Sequence, residues 1–308
     1  MFRTQKRKAV ILLTVITLCC CAFFPACEAE EVYVENDRNF VDGSMDVTRG
    51  IPENASGVLD RIRRSGVLRV ATEPYFPPQE FIDPDKSGQD QYAGADMELA
   101  RLIAARMGVE LRIIPLEFSN VLPALTEDQA DLTISALSFT PSRANSWTMS
   151  KGYYYADSTA NTVLIVREAE KEQYDDLKAL TDKTLIAQSS SLQEAQAAEN
   201  IVFYKEFRRV SSIQSVYDAV KDGRADAGVV DMETAENYIR NNPESGLALA
   251  DSLTFELEEQ YQGDRIAAKK GETQLIYFVN GVIDEVLEDG TYMKWLDEAQ
   301  QRADELDK

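Results

Sequence analysis

Apolar and polar positions alternate along residues 58–134 with a changing period, which predicts short strands separated by helices. The strand-like runs are brief, apolar and bounded by polar residues or glycine, as expected for buried strands. They fall at 67–71, 109–114 and 131–134. Helical periodicity occupies 58–64, 95–107 and 121–125, and Gly108 is placed to end the second of these helices. This spacing predicts parallel βαβ units.

The same alternation starts again in the second half of the chain. Strand-like runs fall at 162–166, 184–187, 201–204, 225–230 and 264–268. Helical stretches fall at 193–198, 213–221, 272–287 and 291–303. Two βαβ sets in a chain of 308 residues predict two similar α/β lobes. The hydrophobic fraction of 44% is enough to give each lobe a buried core.

The N-terminus carries the pattern of an export signal. Basic residues at 3–8 precede an uncharged run at 9–26, and Cys27 and an acidic stretch follow. A basic segment, an apolar segment and a small-residue exit are typical of a secretory signal, which is predicted here at residues 1–27. The alternative is a permanent transmembrane anchor, because about 18 apolar residues is the lower limit for crossing a bilayer. The sequence therefore predicts an exported protein of the periplasm or cell surface.

Cys27 is a candidate lipidation site. Phe24-Pro25-Ala26-Cys27 is similar to the bacterial lipobox, in which a small residue precedes the lipidated cysteine, although Phe24 and Pro25 depart from its usual residues. A lipid on Cys27 would anchor the protein to the membrane. The alternative is ordinary signal cleavage near Ala26 or Ala29. Residues 28–57 are acidic, have little periodicity and contain Gly, Pro and Asn, so they are predicted to form a disordered tether.

Charge and residue content exclude several functions. The net charge is −21, and about −25 once the basic first 27 residues are set aside, so no nucleic-acid partner is expected. There is no histidine, and the four cysteines all precede residue 28. This composition excludes Cys/His zinc sites, cysteine nucleophiles, Ser-His-Asp triads and internal disulfides from the body of the protein. Since histidine is the commonest general base, we expect a binding protein without catalytic residues, cofactor or metal.

Eight short blocks in a fixed order carry a resemblance to a known family. They are 66–72 (GVLRVAT), 76–81 (FPPQEF), 94–100 (GADMELA), 118–125 (FSNVLPAL), 130–135 (ADLTIS), 140–143 (TPSR), 223–227 (GRADA) and 289–292 (DGTY). Together these blocks resemble the bacterial extracellular solute-binding proteins of family 3, the polar amino-acid substrate-binding proteins of ABC transporters. The resemblance covers about residues 58–303, nearly the whole predicted folded part.

The resemblance implies the type II periplasmic-binding-protein fold, in which two α/β lobes are joined by two crossover strands and close on a ligand by hinge motion. Lobe 1 would span 58–158 and 265–308, and lobe 2 would span 159–264. The implied function is the substrate-binding component of an ABC importer, which captures an amino acid or related compound in the cleft and delivers it to permease subunits. Basic, polar and acidic amino acids remain open as ligands, as do cystine and opines.

A free amino acid needs a fixed cation for its carboxylate and a fixed anion for its ammonium group. Guanidinium binds a carboxylate with two parallel hydrogen bonds, and Arg143 matches the family's carboxylate-binding arginine. Asp231 follows a predicted buried strand, at the end where α/β sheets bind ligands, and matches the family's ammonium-binding aspartate. The alternatives are a solvated surface arginine and an N-cap for the following helix.

Five more positions match ligand contacts of the family. Ser138 matches a hydroxyl that helps to hold the carboxylate, and Ser191 matches a second carboxylate contact from lobe 2, although a run of serines is more often only a turn. Phe76 and Phe118 match aromatic residues that sandwich the ligand side chain, with ordinary core packing as the alternative. Glu73 matches an acid near that side chain, where it would select a cationic or polar group unless it is a surface acid.

Two other functions are compatible with the same scaffold. One is a dehydratase acting on prephenate-like acids, for which Glu73 or Glu80 could serve as the general acid, although no sequence feature demands it. The other is a sensory ligand-binding protein, which would signal through a separate partner.

Overall fold

The structure, a computed structural model, describes residues 40–156 and 160–306. The predicted signal segment, Cys27 and residues 28–39 of the predicted tether lie outside the described residues. Within the described residues, no helix combines the length and the apolar character needed to cross a membrane.

The described residues form strands and helices in alternation. Strands β1 to β13 lie, in order, at Val67–Thr72, Tyr75–Phe76, Glu80–Ile82, Tyr92–Ala93, Glu110–Pro115, Leu132–Thr133, Trp147–Tyr154, Ala160–Arg167, Thr184–Gln188, Glu206–Val210, Ala227–Asp231, Leu247–Glu256 and Asp264–Lys269. Helices α1 to α10 lie at Gly57–Ser65, Ala95–Met107, Phe118–Val121, Pro123–Thr126, Pro141–Ser146, Leu192–Asn200, Ile213–Lys221, Met232–Asn241, Thr273–Glu288 and Thr291–Leu306.

Two five-stranded sheets share one topology. The first has the order β5-β1-β6-β13-β7, in which β1 pairs in parallel with β5 and β6, and β13 pairs antiparallel with β6 and β7. The second has the order β10-β9-β11-β8-β12, with β9 parallel to β10 and β11, and β8 antiparallel to β11 and β12. The chain passes from the first sheet to the second between β7 and β8 and returns between β12 and β13.

We use lobe 1 for the first sheet with its packed helices, including α2, α9 and α10, and lobe 2 for the second sheet with α6, α7 and α8. Each lobe has a buried apolar core of its own. We propose the boundaries predicted from the sequence, 58–158 with 265–308 for lobe 1 and 159–264 for lobe 2, because each span contains the strands of one sheet apart from Asp264, the first residue of β13.

One strand prediction is wrong. The apolar run at 201–204 predicts a strand, but this segment is irregular and β10 begins only at Glu206. Val202 and Phe203 are exposed to 74% and 69%, so the run does not mark a buried element. β10 is an edge strand that carries exposed charged side chains, and edge strands often lack the apolar pattern of buried ones.

The predicted tether at 28–57 differs from the structure over residues 40–57. Residues 40–47, which we name the strap, lie against lobe 1, with Val41 and Val47 buried in its core. The Asn280 side-chain amide donates to the Val41 and Gly43 carbonyls at 2.8 Å each. A Cβ on Gly281 would lie 2.3 Å from the Met45 carbonyl oxygen, so glycine is what permits this close approach. These contacts depend on helix α9, far along the chain, so the local composition of the strap does not reveal them.

Candidate functional site

A cavity lies between the two lobes at the carboxyl ends of their parallel strands. Its volume is about 870 Å³ when the open solvent at its mouth is included. Glu73 directly follows β1, whereas Gln188 and Asp231 end β9 and β11. All seven residues predicted to contact the ligand line this cavity: Glu73, Phe76, Phe118, Ser138, Arg143, Ser191 and Asp231.

Arg143 is fixed by the helix on which it lies. Helix α5 begins after Thr140, whose hydroxyl oxygen accepts from the Arg143 backbone N–H at 3.1 Å. The guanidinium donates to the Ser138 carbonyl at 2.6 Å and, across the cavity, to the Ser190 carbonyl at 2.9 Å. Burial lowers the pKa of Arg143 to about 10, so the group stays cationic at neutral pH. The alternative of a solvated surface arginine is therefore excluded, since Arg143 is only 8% exposed.

Asp231 caps a helix, which was the alternative to ammonium binding, and it also lines the cavity. Its Oδ1 accepts from the Thr234 backbone N–H and from the Thr234 hydroxyl, both at 2.9 Å, and so caps α8. Burial raises the pKa of Asp231 to about 6. The cap orients the Asp231 carboxylate. Burial removes that carboxylate from water, and the neutral donors of Thr234 bring no positive charge to it.

Ser138 and Ser191 lie on opposite sides of the cavity. The backbone of Ser138 forms a β-bridge with Asp264, and its carbonyl accepts from Arg143. Ser138 therefore helps to hold the guanidinium in place. Ser191 is the N-cap of α6, and its hydroxyl oxygen accepts from the Glu194 backbone N–H at 3.0 Å. Because a hydroxyl both accepts and donates, the Ser191 proton stays available to a ligand carboxylate.

The cavity is strongly acidic. Five carboxyl groups line it, and Arg143 is the one cationic side chain among the described lining residues. Burial raises the pKa of Glu73 to about 7 and the pKa of Asp264 well above its usual range. The five acidic residues are Glu73, Glu80, Asp231, Glu233 and Asp264. The lining thus has many more acidic than cationic groups, and a ligand cation would favour the ionised forms of these acids.

Two buried acids are neighbours at the cavity, where Glu80 is a lining residue and Asp96 is not. Glu80 Oε1 accepts from the Ser135 hydroxyl at 2.9 Å. Asp96 accepts from the hydroxyls of Tyr153 and Tyr292 at 2.7 and 2.8 Å and from the Ala136 backbone N–H at 2.9 Å. Burial and the neighbouring Asp96 charge raise the pKa of Glu80 well above its usual range. Burial also raises the pKa of Asp96, but its three donors favour its ionised form, so a proton shared by this pair is favoured on Glu80.

Hydrogen bonds cross the cavity directly from one lobe to the other. The Gln188 side-chain amide donates to Glu73 Oε1 at 2.9 Å, and the Tyr154 hydroxyl donates to the Glu233 carboxylate at 2.9 Å. The bond from Arg143 to the Ser190 carbonyl is a third such link. The two lobes therefore meet around the cavity in this structure.

Several lining residues were not among the predicted contacts. Glu233 lies two residues after Asp231, on the first turn of α8, and Asp264 begins β13. Tyr154 ends β7 and Gln188 ends β9, so both occupy strand ends like the predicted residues. An acid in the turn after Asp231 was a usable signal, whereas Gln188 has no feature of its own that marks it out.

The chain is similar in sequence to a family of known proteins and to several of its members. The model of the family "Bacterial extracellular solute-binding proteins, family 3" matches residues 68–299. The arginine-binding extracellular protein ArtP of Bacillus subtilis is 29% identical over 231 residues, covering 74% of this chain and 83% of that protein. Cyclohexadienyl dehydratase of Pseudomonas aeruginosa is 26% identical over 188 residues, covering 60% of this chain and 67% of the enzyme.

A solved structure matches most of the described fold. The amino acid ABC transporter substrate-binding protein AbpA of Streptococcus pneumoniae, bound to L-arginine, is 31% identical with a TM-score of 0.70. The match covers 79% of this chain and 98% of that protein. The predicted two-lobed α/β fold class is confirmed by this likeness.

Proposed function

Because the chain belongs to the bacterial extracellular solute-binding proteins of family 3, we propose that it is the extracytoplasmic substrate-binding component of an ABC importer. It captures an amino acid between its lobes and delivers it to the permease subunits in the membrane. The cavity between the lobes supports this function, since its polar groups converge from both lobes on one enclosed space. Relatives named for amino-acid binding, among them ArtP and AbpA, also support it.

The ligand that fits the cavity best is an amino acid with a cationic side chain. The single observation that carries this choice is the charge of the lining, in which five carboxyl groups face one guanidinium. An anionic side chain would add repulsion, because buried charges interact much more strongly than charges in water. Arginine is the first candidate, since ArtP is named for binding it and AbpA was solved with it.

The two charged ends of such a ligand have partners on different elements. We assign the ligand carboxylate to Arg143, with Ser138 and the Ser191 hydroxyl beside it, and the α-ammonium to Asp231. Each charge-assisted hydrogen bond contributes about 1.5–3 kcal/mol. Micromolar binding requires about 8 kcal/mol, so these contacts and an apolar sandwich suffice without any cofactor.

The ligand side chain would extend between Phe76 and Phe118 toward Glu73. Both rings line the cavity and are half-buried, and flat aromatic faces provide contact area at little cost in side-chain entropy. The Phe118 ring centroid lies 5.8 Å from the Arg143 guanidinium, which places the aromatic surface beside the carboxylate end. Glu73, which also lines the cavity, would bind the cationic group of the ligand side chain.

The direct test is calorimetric titration of the purified protein, stripped of bound ligand, with the twenty amino acids and cystine. We expect micromolar or tighter binding of arginine or lysine and much weaker binding of aspartate and glutamate. Tight binding of an acidic amino acid, or no binding across the panel, would contradict the proposed ligand class.

Export and lipidation at Cys27 complete the proposal. The family consists of extracellular proteins, and a lipid on Cys27 would keep the protein near its permease. A mass spectrum of the mature protein tests the anchor. A diacylglyceryl mass on Cys27 supports it, whereas an unmodified N-terminus beyond residue 27 contradicts it.

A dehydratase is the second candidate, because a cyclohexadienyl dehydratase is among the relatives and Glu80 is a protonated acid in the cavity. The lining argues against it, since five acidic side chains and a single guanidinium offer little positive charge to a dicarboxylate such as prephenate. Formation of phenylpyruvate from prephenate by the purified protein would show the enzyme. Absence of turnover together with amino-acid binding would support a protein without catalytic activity.

A further inference from the structure

The Gln188 side chain forms hydrogen bonds with both lobes at the cavity wall. It ends β9 in lobe 2, is 6% exposed and lines the cavity. Its side-chain Nε2 donates to two acceptors, the Ser211 carbonyl of lobe 2 at 3.2 Å and Glu73 Oε1 of lobe 1 at 2.9 Å. The Ser211 bond fixes the amide within its own lobe and directs the second N–H across the cavity.

Glu73 lies in surroundings that disfavour its charged form. It is 2% exposed, and its own backbone N–H donates to the Ser135 hydroxyl oxygen rather than to a carboxylate. Nearby acidic charge comes from Glu117, the residue before α3. Gln188 supplies the hydrogen bond that opposes these effects and lowers the pKa of Glu73, which burial raises to about 7.

Resting on the proposed function, we propose that Gln188 is a specificity-determining residue that aligns Glu73 toward the ligand side chain when the two lobes are in contact. A cationic side chain is thereby selected over a neutral side chain of the same shape. Gln188 acts through Glu73 and is a positioning residue, because its amide has no charge with which to bind a cation.

The chemistry of an amide suits this role. Both hydrogens of Nε2 are directed at acceptors, so the Gln188 side chain adds a donor to Glu73 without adding charge. A glutamate at this position would repel Glu73, and a leucine would leave it without its donor in a buried site. Because Gln188 belongs to the opposite lobe, the Glu73 carboxylate has this hydrogen-bond donor only when the two lobes are in contact.

The experiment compares arginine with citrulline, its neutral isostere, as ligands of the wild type and of Gln188→Leu between pH 6 and 9. At pH 7.5 the wild type is expected to prefer arginine, and the variant is expected to lose that preference by roughly tenfold or more. The preference should return as the pH rises, because Glu73 of the variant ionises only at higher pH. Gln188→Met also lacks the donor and serves if the leucine variant does not fold.

Asn237→Ala is the matched control, because it removes an interlobe hydrogen bond, to Gln300, outside the cavity. It should change the affinity for both ligands by the same factor and leave their ratio unchanged. If Gln188→Leu also weakens both ligands equally at every pH, its role is structural and the inference is overturned. A wild type that binds both equally overturns the inference but keeps the proposed amino-acid binding. A wild type that binds neither overturns both.

Discussion

Asp131 and Glu73 lie at opposite ends of the lobe 1 sheet, and they differ in the cations that the protein places beside them. The Asp131 carboxylate, which is 1% exposed, contacts the guanidinium groups of both Arg61 and Arg69 and accepts the Arg69 backbone N–H at 2.8 Å. Glu73 has one neutral donor, Gln188. Lobe 2 repeats the first arrangement, since Asp226 accepts the Thr184 backbone N–H at 2.7 Å.

This contrast separates structural acids from binding acids without reference to any relative. A buried carboxylate that already has its cations contributes to folding, because removing it would strand those cations. A buried carboxylate without a neighbouring cation lowers the stability of the folded protein. Such a group is expected at a functional site, where a ligand can supply the positive charge. At the carboxyl end of the sheets the acids of the second kind gather around one arginine, which is the arrangement expected for a site that receives a cationic ligand.

The largest expected effect comes from the one cation in the cavity. Arg143→Ala should weaken arginine binding by about a hundredfold, since the ligand carboxylate loses a paired, charge-assisted contact. Titration calorimetry measures this loss. Arg143→Lys keeps the charge but cannot form two parallel bonds, so it should recover only part of the affinity. An unchanged Kd for the alanine variant would remove Arg143 from the site.

Asp131→Ala tests the structural side of the comparison. It should lower the free energy of unfolding by about 2–3 kcal/mol, because Arg69 and Arg61 lose their buried partner, and it should leave the Kd for arginine unchanged. Chemical denaturation measures the first quantity. Asp226→Ala in lobe 2 is the matched variant, and its loss should be smaller because the Asp226 carboxylate is 33% exposed and Arg167 lies 3.7 Å away. Equal losses at both sites would contradict this ranking.

The stability of the ligand-free protein should depend on pH through the acids that lack cations. Burial raises the pKa of Glu73 from 4.5 to about 7, so its contribution to stability is fully present below pH 4.5 and is lost as the pH rises through 7. We expect a loss of about 2 kcal/mol between pH 5 and pH 8 from this group. Thermal melts across this range measure it.

Glu73→Gln should flatten that dependence, whereas saturating arginine should stabilise the wild type more at pH 8 than at pH 5. Both expectations follow from the same cause, because the ligand cation replaces the proton on the carboxyl group. A wild type whose stability stays constant or rises from pH 5 to pH 8 would contradict this prediction, because acids with lowered pKa values, such as Asp83, are already ionised throughout this range and add no slope.

The smallest expected effect lies outside the cavity, where α8 of lobe 2 meets α10 of lobe 1. The Asn241 side-chain amide donates to Asp304 Oδ1 at 3.0 Å, and Asn237 donates to Gln300 at 3.3 Å. Asp304→Ala should speed ligand dissociation by about two- to fivefold, as expected from the loss of one net hydrogen bond. Stopped-flow kinetics measure the rate. An unchanged dissociation rate would mean that these helices stay together when the ligand leaves.

The sequence predicts much of the fold because parallel strands and their helices leave strong apolar patterns. The runs at 67–71 and 109–114 correspond to β1 and β5, which pair in parallel. Features that depend on distant contacts are not visible in this way. The strap is buried only because α9 offers Asn280 and a glycine at position 281, and β10 carries charged residues at a sheet edge.

The candidate site divides along the same line. Arg143 and Asp231 are predictable because each has a local signal, a Thr-Pro helix start in one case and a strand end in the other. Their proposed roles remain predictions until binding is measured. Gln188 and Asp264 matter only through what lies across from them in the folded chain, and no local pattern records a neighbour that is more than a hundred residues away.

The strap attaches the first described residues of the chain to lobe 1. Its hydrogen bonds go to lobe 1, from Asn280 to the Val41 and Gly43 carbonyls and from the Met45 backbone N–H to the Tyr277 carbonyl. If a lipid on Cys27 anchors the protein, as proposed above, a force on the anchor would reach lobe 1 through the strap and helix α9. The residues that line the cavity lie on other elements, so we expect such a force to leave the binding site undistorted.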